Sequence, residues 1–530
     1  MLIFVLNQSL LDMAKTASSA LFELIHNLTK SEKRYFKMHA SRHTIGDKNN
    51  SVKIFDFIDQ QETFNNDEIH NHFKGEAFLN QFAITKNRLY EQILKALDGY
   101  YSTSSVEAQL YTALHSIEIL YSKGLYDHAK REVTKAKRLA EKHDKTAILL
   151  QIANKEKQLI ETKGYRNNTS NDLKKHCEET LLISQQHTFY NQLWQLKGEL
   201  FLLMNQSGQA RSNESIEKYN QLFIKYKALK VPGKITFDSQ YLIYHFESAY
   251  YFSILNQQES LRILKENMNH FNENKAKRKE YPNRYFSILT NIIHLESKFG
   301  NMKAVHPYLN ELKALPHQLK SKLTNDLSIK FFSSINSIEL KILNQEGQYK
   351  KATQLAQGIE EGISKYGNEI TPSRKAYLAF NLSIAYFGME DFNTSLKWIN
   401  VILNAREIDG KEDIVSFAHL MNLLIHFELN NTDLLPYAIK STRRFLSKRK
   451  RTFQFETIFL KHLTKISNAE NRFERERILY DIEEEIRELK TDPFESVAFE
   501  YFDFHLWLTA KMKNKPFSVV KREHFLALTA

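Results

Sequence analysis

A pair of histidines has the residue types that a metal site would use. His70 and His72 lie beside Asp67 and Glu68 in a stretch of helical character, and imidazole and carboxylate groups are common zinc ligands. Side chains at positions i and i+2 of a helix point in different directions, so the two histidines would share a metal only if the helix were broken. No metal site is predicted here.

The single cysteine of the chain, Cys177, directly follows His176. Cysteine and histidine form nucleophile and base pairs in enzymes, but adjacent side chains diverge in a regular helix, and no glycine-rich oxyanion site accompanies them. The 15 glycines are not clustered as a phosphate-binding loop requires. We therefore predict a non-enzymatic protein with no cofactor. One cysteine also excludes an intramolecular disulfide, which is typical of a cytoplasmic protein.

Basic residues are in excess, with a formal net charge of +12. The denser of two basic runs comprises Lys440, Arg443, Arg444, Lys448, Arg449, Lys450 and Arg451, and the other comprises Lys275, Lys277, Arg278, Lys279 and Arg284. Three interpretations stay open. The first is a solvated surface, because the helix dipole stabilises basic side chains near helix C-termini without any partner. The second is an acidic protein partner, and the third is phosphate contacts to RNA or DNA.

Residues 51–100 have the pattern of a helix-turn-helix. The predicted helices are Val52–Gln60, Asp67–Phe73 begun by Asn65 or Asn66, and Phe78–Tyr100. In a DNA-binding module the last helix would enter a groove, with Lys86 and Arg88 among its outward residues. The alternative is a bundle that caps the rest of the chain, since the last helix is long and has its own apolar stripe.

A turn signal recurs along the chain about every 43 residues, a period typical of stacked helical hairpins. The turn residues are Gly124, Gly164, Gly208, Asn256, Gly300, Gly347, Glu390 and Asn430. Each hairpin has an apolar face that it cannot bury alone, so neighbouring hairpins build one continuous core. With only 15 Gly and 8 Pro in 530 residues, the composition also favours an all-α protein.

Three of these turns share a spacing in which an aromatic residue follows the turn by two positions and a small residue follows it by five. The sets are Gly124/Tyr126/Ala129, Gly347/Tyr349/Ala352 and Glu390/Phe392/Ser395. The aromatic residue would begin the second helix, and the small residue would allow that helix to approach the first. Glycine supplies the positive φ that a helix end often needs.

These spacings, and the stretch Ala376–Asn404 above all, resemble the tetratricopeptide repeat in a degenerate, lengthened form over about residues 105–445. The resemblance implies an elongated right-handed α-solenoid that binds a protein or peptide on its inner surface. The family register directs to that surface Tyr377, Phe380, Ile384 and Phe387 from one hairpin and Ser334, Ser337, Lys341 and Asn344 from the one before it. For each aromatic residue, a place in the core is the alternative.

Four regions follow from these patterns. Residues 1–20 are a flexible start or an extension from a misassigned start codon, 21–104 an N-terminal helical bundle, 105–445 the repeats, and 446–530 a C-terminal helical cap with a basic tail. Phe499, Phe502, Trp507 and Leu508 are suited to cover the last apolar face of the stack, while Lys521 and Arg522 are expected to be exposed. No apolar run reaches the roughly 20 residues of a membrane helix.

The N-terminal bundle contains two stretches, LTKSEKRYFK at 28–37 and KNRLYEQILKAL at 86–97. Both are similar to the N-terminal region of uncharacterised bacterial helical-repeat proteins, a similarity that implies no activity. Thr29 and Glu32 in the first stretch form a capping-box pattern.

The function predicted from these patterns is a cytoplasmic scaffold, monomeric or homodimeric, that binds a protein or peptide of unknown identity. The alternative is a nucleic-acid-binding regulator with a helix-turn-helix-like module and a repeat sensor.

Overall fold

The computed structural model confirms the all-α fold, since every regular element in its described part is helical. It describes residues 19–41, 50–166, 168–210, 212–319, 323–405, 413–431, 433–448, 453–469, 471–489, 491–492, 495, 498–499 and 501–529. The prediction of a flexible or misassigned start at 1–20 therefore falls almost wholly outside the described residues, as do Arg449, Lys450 and Arg451 of the denser basic run.

The chain divides into two compact units, and the division falls within one long helix. Unit 1 comprises Met1–His187 and Pro232–Lys234, and unit 2 comprises Thr188–Val231 and Ile235–Ala530. The region boundaries predicted at 20, 104 and 445 stay predictions.

Unit 1 is built from helices α1 to α8 and the beginning of α9. Their bounds are residues 19–27 (α1), Lys30–Ser41 (α2), Asn50–Gln60 (α3), Asn66–His72 (α4), Phe82–Tyr101 (α5), Val106–Ser122 (α6), Tyr126–Lys142 (α7), Thr146–Thr162 (α8) and Ser170–Ser207 (α9). One core joins α1 to α5 around Ile25, Phe36 and Phe55, and another joins α6 to α8 around Leu110 and Ile152.

Local capping fixes where the N-terminal helices begin. The predicted capping box ahead of α2 is present, because the Thr29 amide donates to Glu32 Oε2 at 2.5 Å and the Glu32 amide donates to Thr29 Oγ1 at 3.3 Å. Burial raises the pKa of the Glu32 carboxyl, but hydrogen bonds from Thr29 and Tyr101 outweigh burial and hold this pKa below its ordinary value. Asn65 caps α4 by accepting from the Asp67 amide at 3.0 Å.

The last helix of this region begins later than predicted. Residues Ala77–Gln81 form a 3-10 turn and α5 begins at Phe82, not at Phe78. The Phe78 ring packs edge-on against Phe73 at 5.3 Å, so it joins the core from the turn. The predicted start at Phe78 is therefore wrong, although Phe82, Leu89 and Ile93 do form the expected buried stripe.

Unit 2 contains the remainder of α9 and helices α10 to α26. Their bounds are Asn213–Lys227 (α10), Phe237–Ser253 (α11), Gln257–Glu273 (α12), Lys275–Glu280 (α13), Pro282–Lys298 (α14), Met302–Gln318 (α15), Asn325–Gln345 (α16), Tyr349–Gln354 (α17), Ala356–Tyr366 (α18), Pro372–Gly388 (α19), Phe392–Leu403 (α20), Asp413–Glu428 (α21), Leu435–Lys448 (α22), Gln454–Asn468 (α23), Arg472–Leu489 (α24), Phe504–Met512 (α25) and Phe517–Thr529 (α26). In the part of the chain that the structure describes, no helix combines the length and apolarity that crossing a membrane requires.

The predicted turns are present, and most have the backbone conformation that the pattern implied. Seven of the eight turn residues have positive φ, namely Gly124, Gly164, Gly208, Gly300, Gly347, Glu390 and Asn430. At the eighth turn Leu255 takes positive φ instead (66°), and Asn256 caps α12 by accepting from the Glu259 amide at 3.3 Å. Hairpins therefore recur along both units.

The aromatic and small residues of the shared spacing also lie where the pattern predicts. Helices α7, α17 and α20 begin at their aromatic residues, and the small residues Ala129, Ala352 and Ser395 are fully buried. Ser395 donates to the Ser383 carbonyl oxygen on the preceding helix at 2.9 Å. Small side chains thus let the two helices of a hairpin approach closely.

The C-terminal end differs from the prediction in two respects. The aromatic residues of 494–512 predict one helix, but α25 begins only at Phe504, because the Asp503 side chain caps it by accepting from the Leu506 amide at 3.2 Å. Lys521 and Arg522 are not an exposed tail. They lie within α26, where Lys521 Nζ is 3.1 Å from Asp503 Oδ2 and Arg522 Nη1 donates to the Glu346 carbonyl oxygen at 2.9 Å.

Candidate functional site

Unit 2 contains a cavity of about 530 Å³ between the first helices of successive hairpins and residues 499–521, here called the inner cavity. On the hairpin side it is bounded by α11, α14, α16, α19 and α21, and among its lining residues there are Phe252, His294, Lys341, Asn344, Tyr377 and Ile414. On the other side lie Phe499, Tyr501, Phe502, Asp503, Phe517 and Lys521. Eight of its nineteen lining residues are phenylalanine or tyrosine, and about as many are polar or charged.

Five of the eight residues that the family register directs to the inner surface line this cavity, whereas Phe387, Ser334 and Ser337 do not. The five are Tyr377, Phe380, Ile384, Lys341 and Asn344. Tyr377 is 41% exposed, whereas Phe380 and Ile384 are buried and present only part of their surface. That these residues bind a partner stays a prediction.

Phe387 belongs to the core. It is 1% exposed and packs against Phe392, Phe502 and Phe517 with ring centroids 5.2, 5.4 and 5.9 Å away. The family register predicts it on the inner side of α19, where residues of the C-terminal region and Phe392 of the second helix surround it.

Two asparagines form a short hydrogen-bonded chain at the cavity wall. Asn344 Nδ2 donates to the Asn381 carbonyl oxygen at 2.8 Å, and Asn381 Nδ2 donates to the Tyr377 carbonyl oxygen at 2.8 Å. The buried Asn344 Oδ1 has no hydrogen-bond partner within the described part of the chain. A buried acceptor without a partner is costly.

The wall formed by the C-terminal residues is the part of the site that sequence reasoning missed. Tyr501 stacks on Phe417 at 4.2 Å and meets Phe380 edge-on at 6.2 Å, while Phe517 lies 5.9 Å from Tyr349. The dense aromatic residues after 498 were a signal of burial. The sequence assigned Phe499 and Phe502 to the last apolar face of the stack, and it did not predict that they would line the inner cavity.

His294 is a titratable group at the wall of this cavity. Burial, with a smaller effect from Lys341 and Lys298, lowers the pKa of His294 to about 3. Burial likewise lowers the pKa of His245, on α11, to about 4. Both imidazoles are therefore neutral near pH 7.

We expect these histidines to make unit 2 less stable in mild acid. Unfolded histidine takes up a proton near pH 6.5, so below that pH the unfolded state binds more protons than the folded state. The free energy of unfolding must then fall as the pH falls from 6.5 towards 4. His294→Gln should reduce this slope by roughly 1 kcal/mol per pH unit, as measured by urea unfolding at pH 7, 6 and 5.

The matched control is His317→Gln, which changes an exposed histidine on α15 and should leave the slope unchanged. If the free energy of unfolding of the His294→Gln variant fell with pH as steeply as that of the wild-type protein, His294 would not be a source of the acid sensitivity.

The residues predicted for nucleic-acid binding lie in two different environments. Lys86 is half-buried, donates to Asn66 Oδ1 at 3.3 Å and lies over the Phe82 ring at 5.0 Å, and burial lowers its pKa. Its predicted outward position is therefore wrong, because its stem packs on the core. Arg88, two residues later, is exposed as expected.

The two basic runs also differ. Arg443, Arg444 and Lys448 are exposed on α22, and none of them has an ion pair with another residue that the structure describes. In the other run Arg278 and Arg284 approach Glu311 at 3.4 Å and Asp238 at 2.5 Å. The denser run is therefore the more open of the two.

The histidine pair of α4 is packed against aromatic rings. His72 stacks on Phe57 at 4.3 Å, and His70 meets Phe82 edge-on at 5.1 Å. Across the described ranges, no group of three or more His, Cys, Asp or Glu residues is arranged to hold a metal ion.

Comparisons with known proteins add little to this geometry. No protein-family model matches the chain, and no curated protein matches it. Among solved structures, the apo form of RapI aligns with 12% identity and a TM-score of 0.39, over 79% of this chain and 99% of RapI. Values this low carry no argument about function. The similarity of the N-terminal region to bacterial helical-repeat proteins stays a prediction.

Proposed function

We propose that the protein is a non-enzymatic scaffold whose inner cavity binds a segment of a protein or peptide partner in the cytoplasm. The observation that supports this most is the inner cavity itself, which gathers five of the residues that the family register directs to a binding surface.

The size and lining of the inner cavity agree with such a ligand. Ligand pockets commonly measure about 300–1,000 Å³ and combine apolar walls with a few placed polar groups, and 530 Å³ lies within that range. The cavity therefore suits a few residues of a partner. The exposed ring of Tyr377 is the most accessible contact, and tyrosines often dominate the binding energy of interfaces.

Affinity capture with a Tyr377→Ala variant tests this function. The tagged full-length protein is recovered from its own cells, the sample is split into nuclease-treated and untreated halves, and bound proteins are quantified by mass spectrometry. We expect a small set of proteins to survive nuclease treatment and to fall roughly tenfold with Tyr377→Ala, the loss expected of a central aromatic contact.

Tyr437→Ala is the matched control, because Tyr437 is 76% exposed on α22 and does not line the inner cavity. Both variants should keep the helical content of the wild-type protein. If the captured set were the same for both variants, the inner cavity would not be the binding site.

A nucleic-acid-binding regulator is the second candidate, supported by the exposed Arg443, Arg444 and Lys448 on α22. The nuclease arm of the same experiment separates the two functions. Loss of the whole captured set on nuclease treatment, together with binding that weakens steeply as salt increases, would favour this candidate over the scaffold.

A further inference from the structure

Three adjacent first helices carry a cation near their beginning. On α14, α16 and α19 this basic residue lies ten or eleven positions, about 15 Å along the helix, before a residue that lines the inner cavity. The pairs are Arg284 and His294 on α14, Lys330 and Lys341 on α16, and Arg374 and Ile384 on α19. These three cations, together with Lys197 on α9, are here called the basic row.

Each member of the basic row lies within electrostatic range of another member. Lys330 Nζ lies 3.3 Å from Ser287 Oγ on α14 and also contacts Asn283 Oδ1. Burial lowers the pKa of Lys330, and the charge of Arg374 on the next helix lowers it further. Burial and the charge of Arg284 act on Lys197 in the same way. Positive charge therefore continues from one first helix to the next.

Carboxylates balance only part of this charge. Arg284 is paired with Asp238 at 2.5 Å. Lys197, Lys330 and Arg374 have no ion pair with any carboxylate in the described part of the chain, and Asp326 acts on Lys330 only at longer range. Holding like charges together in a half-buried place is unfavourable. An anionic ligand would offset the repulsion between these like charges.

We propose that the basic row binds side-chain carboxylates of an acidic peptide segment that crosses the first helices on its way to the inner cavity. This inference rests on the proposed function, because it specifies the chemistry of the same partner. Packed helix axes lie about 10 Å apart, and an extended chain advances about 3.3 Å per residue. A carboxylate at about every third residue would therefore meet successive cations.

The surroundings of the cations favour a peptide over a nucleic-acid strand. Single strands are usually held by bases stacked on open aromatic rings. The rings beside the basic row are already covered by its own cations, since Lys330 lies over Phe286 at 5.2 Å and Arg284 lies over Tyr281 at 4.2 Å. A carboxylate does not need an aromatic ring to stack on. The flexible side chain of Asp or Glu can bring it to a half-buried cation.

A random 12-residue peptide display library, selected on the immobilised full-length chain, tests the proposal and does not require the natural partner to be identified. We expect the selected peptides to be enriched in Asp and Glu. The affinity of a selected peptide is then measured for the wild-type protein and for Lys330→Gln/Arg374→Gln. Each cation removed should weaken binding roughly tenfold, the value of one charge-assisted contact.

The control variant Lys350→Gln/Lys351→Gln removes the same charge from exposed positions on α17, a second helix. It should bind the peptide as the wild-type protein does, and both double variants should retain the helical content of the wild-type protein. The selected peptide with its acidic residues changed to Asn and Gln should bind weakly.

Four outcomes would overturn the inference. Selected peptides without acidic enrichment would show that the basic row does not bind carboxylates, and so would binding that is insensitive to Lys330→Gln/Arg374→Gln. Either result would still leave the inner cavity as a peptide site. A single-stranded oligonucleotide that displaces the peptide and loses affinity in the same variant would assign the row to phosphate. A selection that enriches no peptide would end the peptide-binding function itself, together with this inference.

Discussion

Trp507→Ala will lower the free energy of unfolding of unit 2 by about 4 kcal/mol, within the range for large-to-small changes in a core. Trp507 is fully buried, meets Phe427 edge-on at 5.6 Å and donates from Nε1 to Glu428 Oε1 at 2.6 Å. The truncation leaves a cavity and removes one of the donors that satisfy the buried Glu428 carboxylate. Urea unfolding followed by circular dichroism measures the loss.

The chain supplies its own control in Trp194, which is 57% exposed on α9. Trp194→Ala removes the same side chain but little buried surface, so it should change stability by less than about 0.5 kcal/mol. Similar losses in the two variants would show that residues 504–512 do not pack on the hairpins as described.

Gly388→Ala should destabilise unit 2 by about 3 kcal/mol, near the upper end of the usual cost of overpacking. A Cβ atom at Gly388 would lie 2.4 Å from the ring atoms Cγ and Cδ2 of Tyr349. That ring is buried and packs against Phe517, so it cannot move aside without shifting α17 from α19. The midpoint of urea unfolding reports the effect.

Gly358→Ala gives the opposite result if the local packing is responsible. Gly358 is also helical, lies in α18 and has no atom within 4 Å of the position of a Cβ. Alanine should stabilise this helix by about 0.5–1 kcal/mol, because glycine has the lower helix propensity. Destabilisation by both changes would mean that the helical glycines matter for some reason other than space.

The hairpins could be predicted because their signals are local. A positive φ next to a helix end is a property of one residue and its neighbours, so the spacing of Gly124, Gly347 and Glu390 gave turns at the right places. At one turn the residue with positive φ is Leu255, one position before the predicted Asn256, because Asn256 caps α12. Local patterns therefore locate helices to within a few residues.

The complete site could not be predicted, because it depends on contacts between residues far apart in the sequence. The family register places Tyr377 and Asn344 on the inner side of their helices, but it says nothing about residues outside the repeats. Tyr501, Phe517 and Lys521 reach the inner cavity by tertiary packing alone. Lys86 shows the same limit, since only the fold reveals that its stem lies on Phe82.

The order in which the chain is synthesised gives the C-terminal residues a further consequence. Arg522 contacts a carbonyl group 176 residues earlier, and Trp507 contacts a carboxylate 79 residues earlier. Contacts between distant residues form slowly, and surfaces that await them are prone to aggregation. On the ribosome, the first helices α16, α19 and α21 emerge well before the aromatic residues that complete them. Unit 2 should therefore complete its folding late. A chain whose synthesis is interrupted before the C-terminal residues would be bound by chaperones.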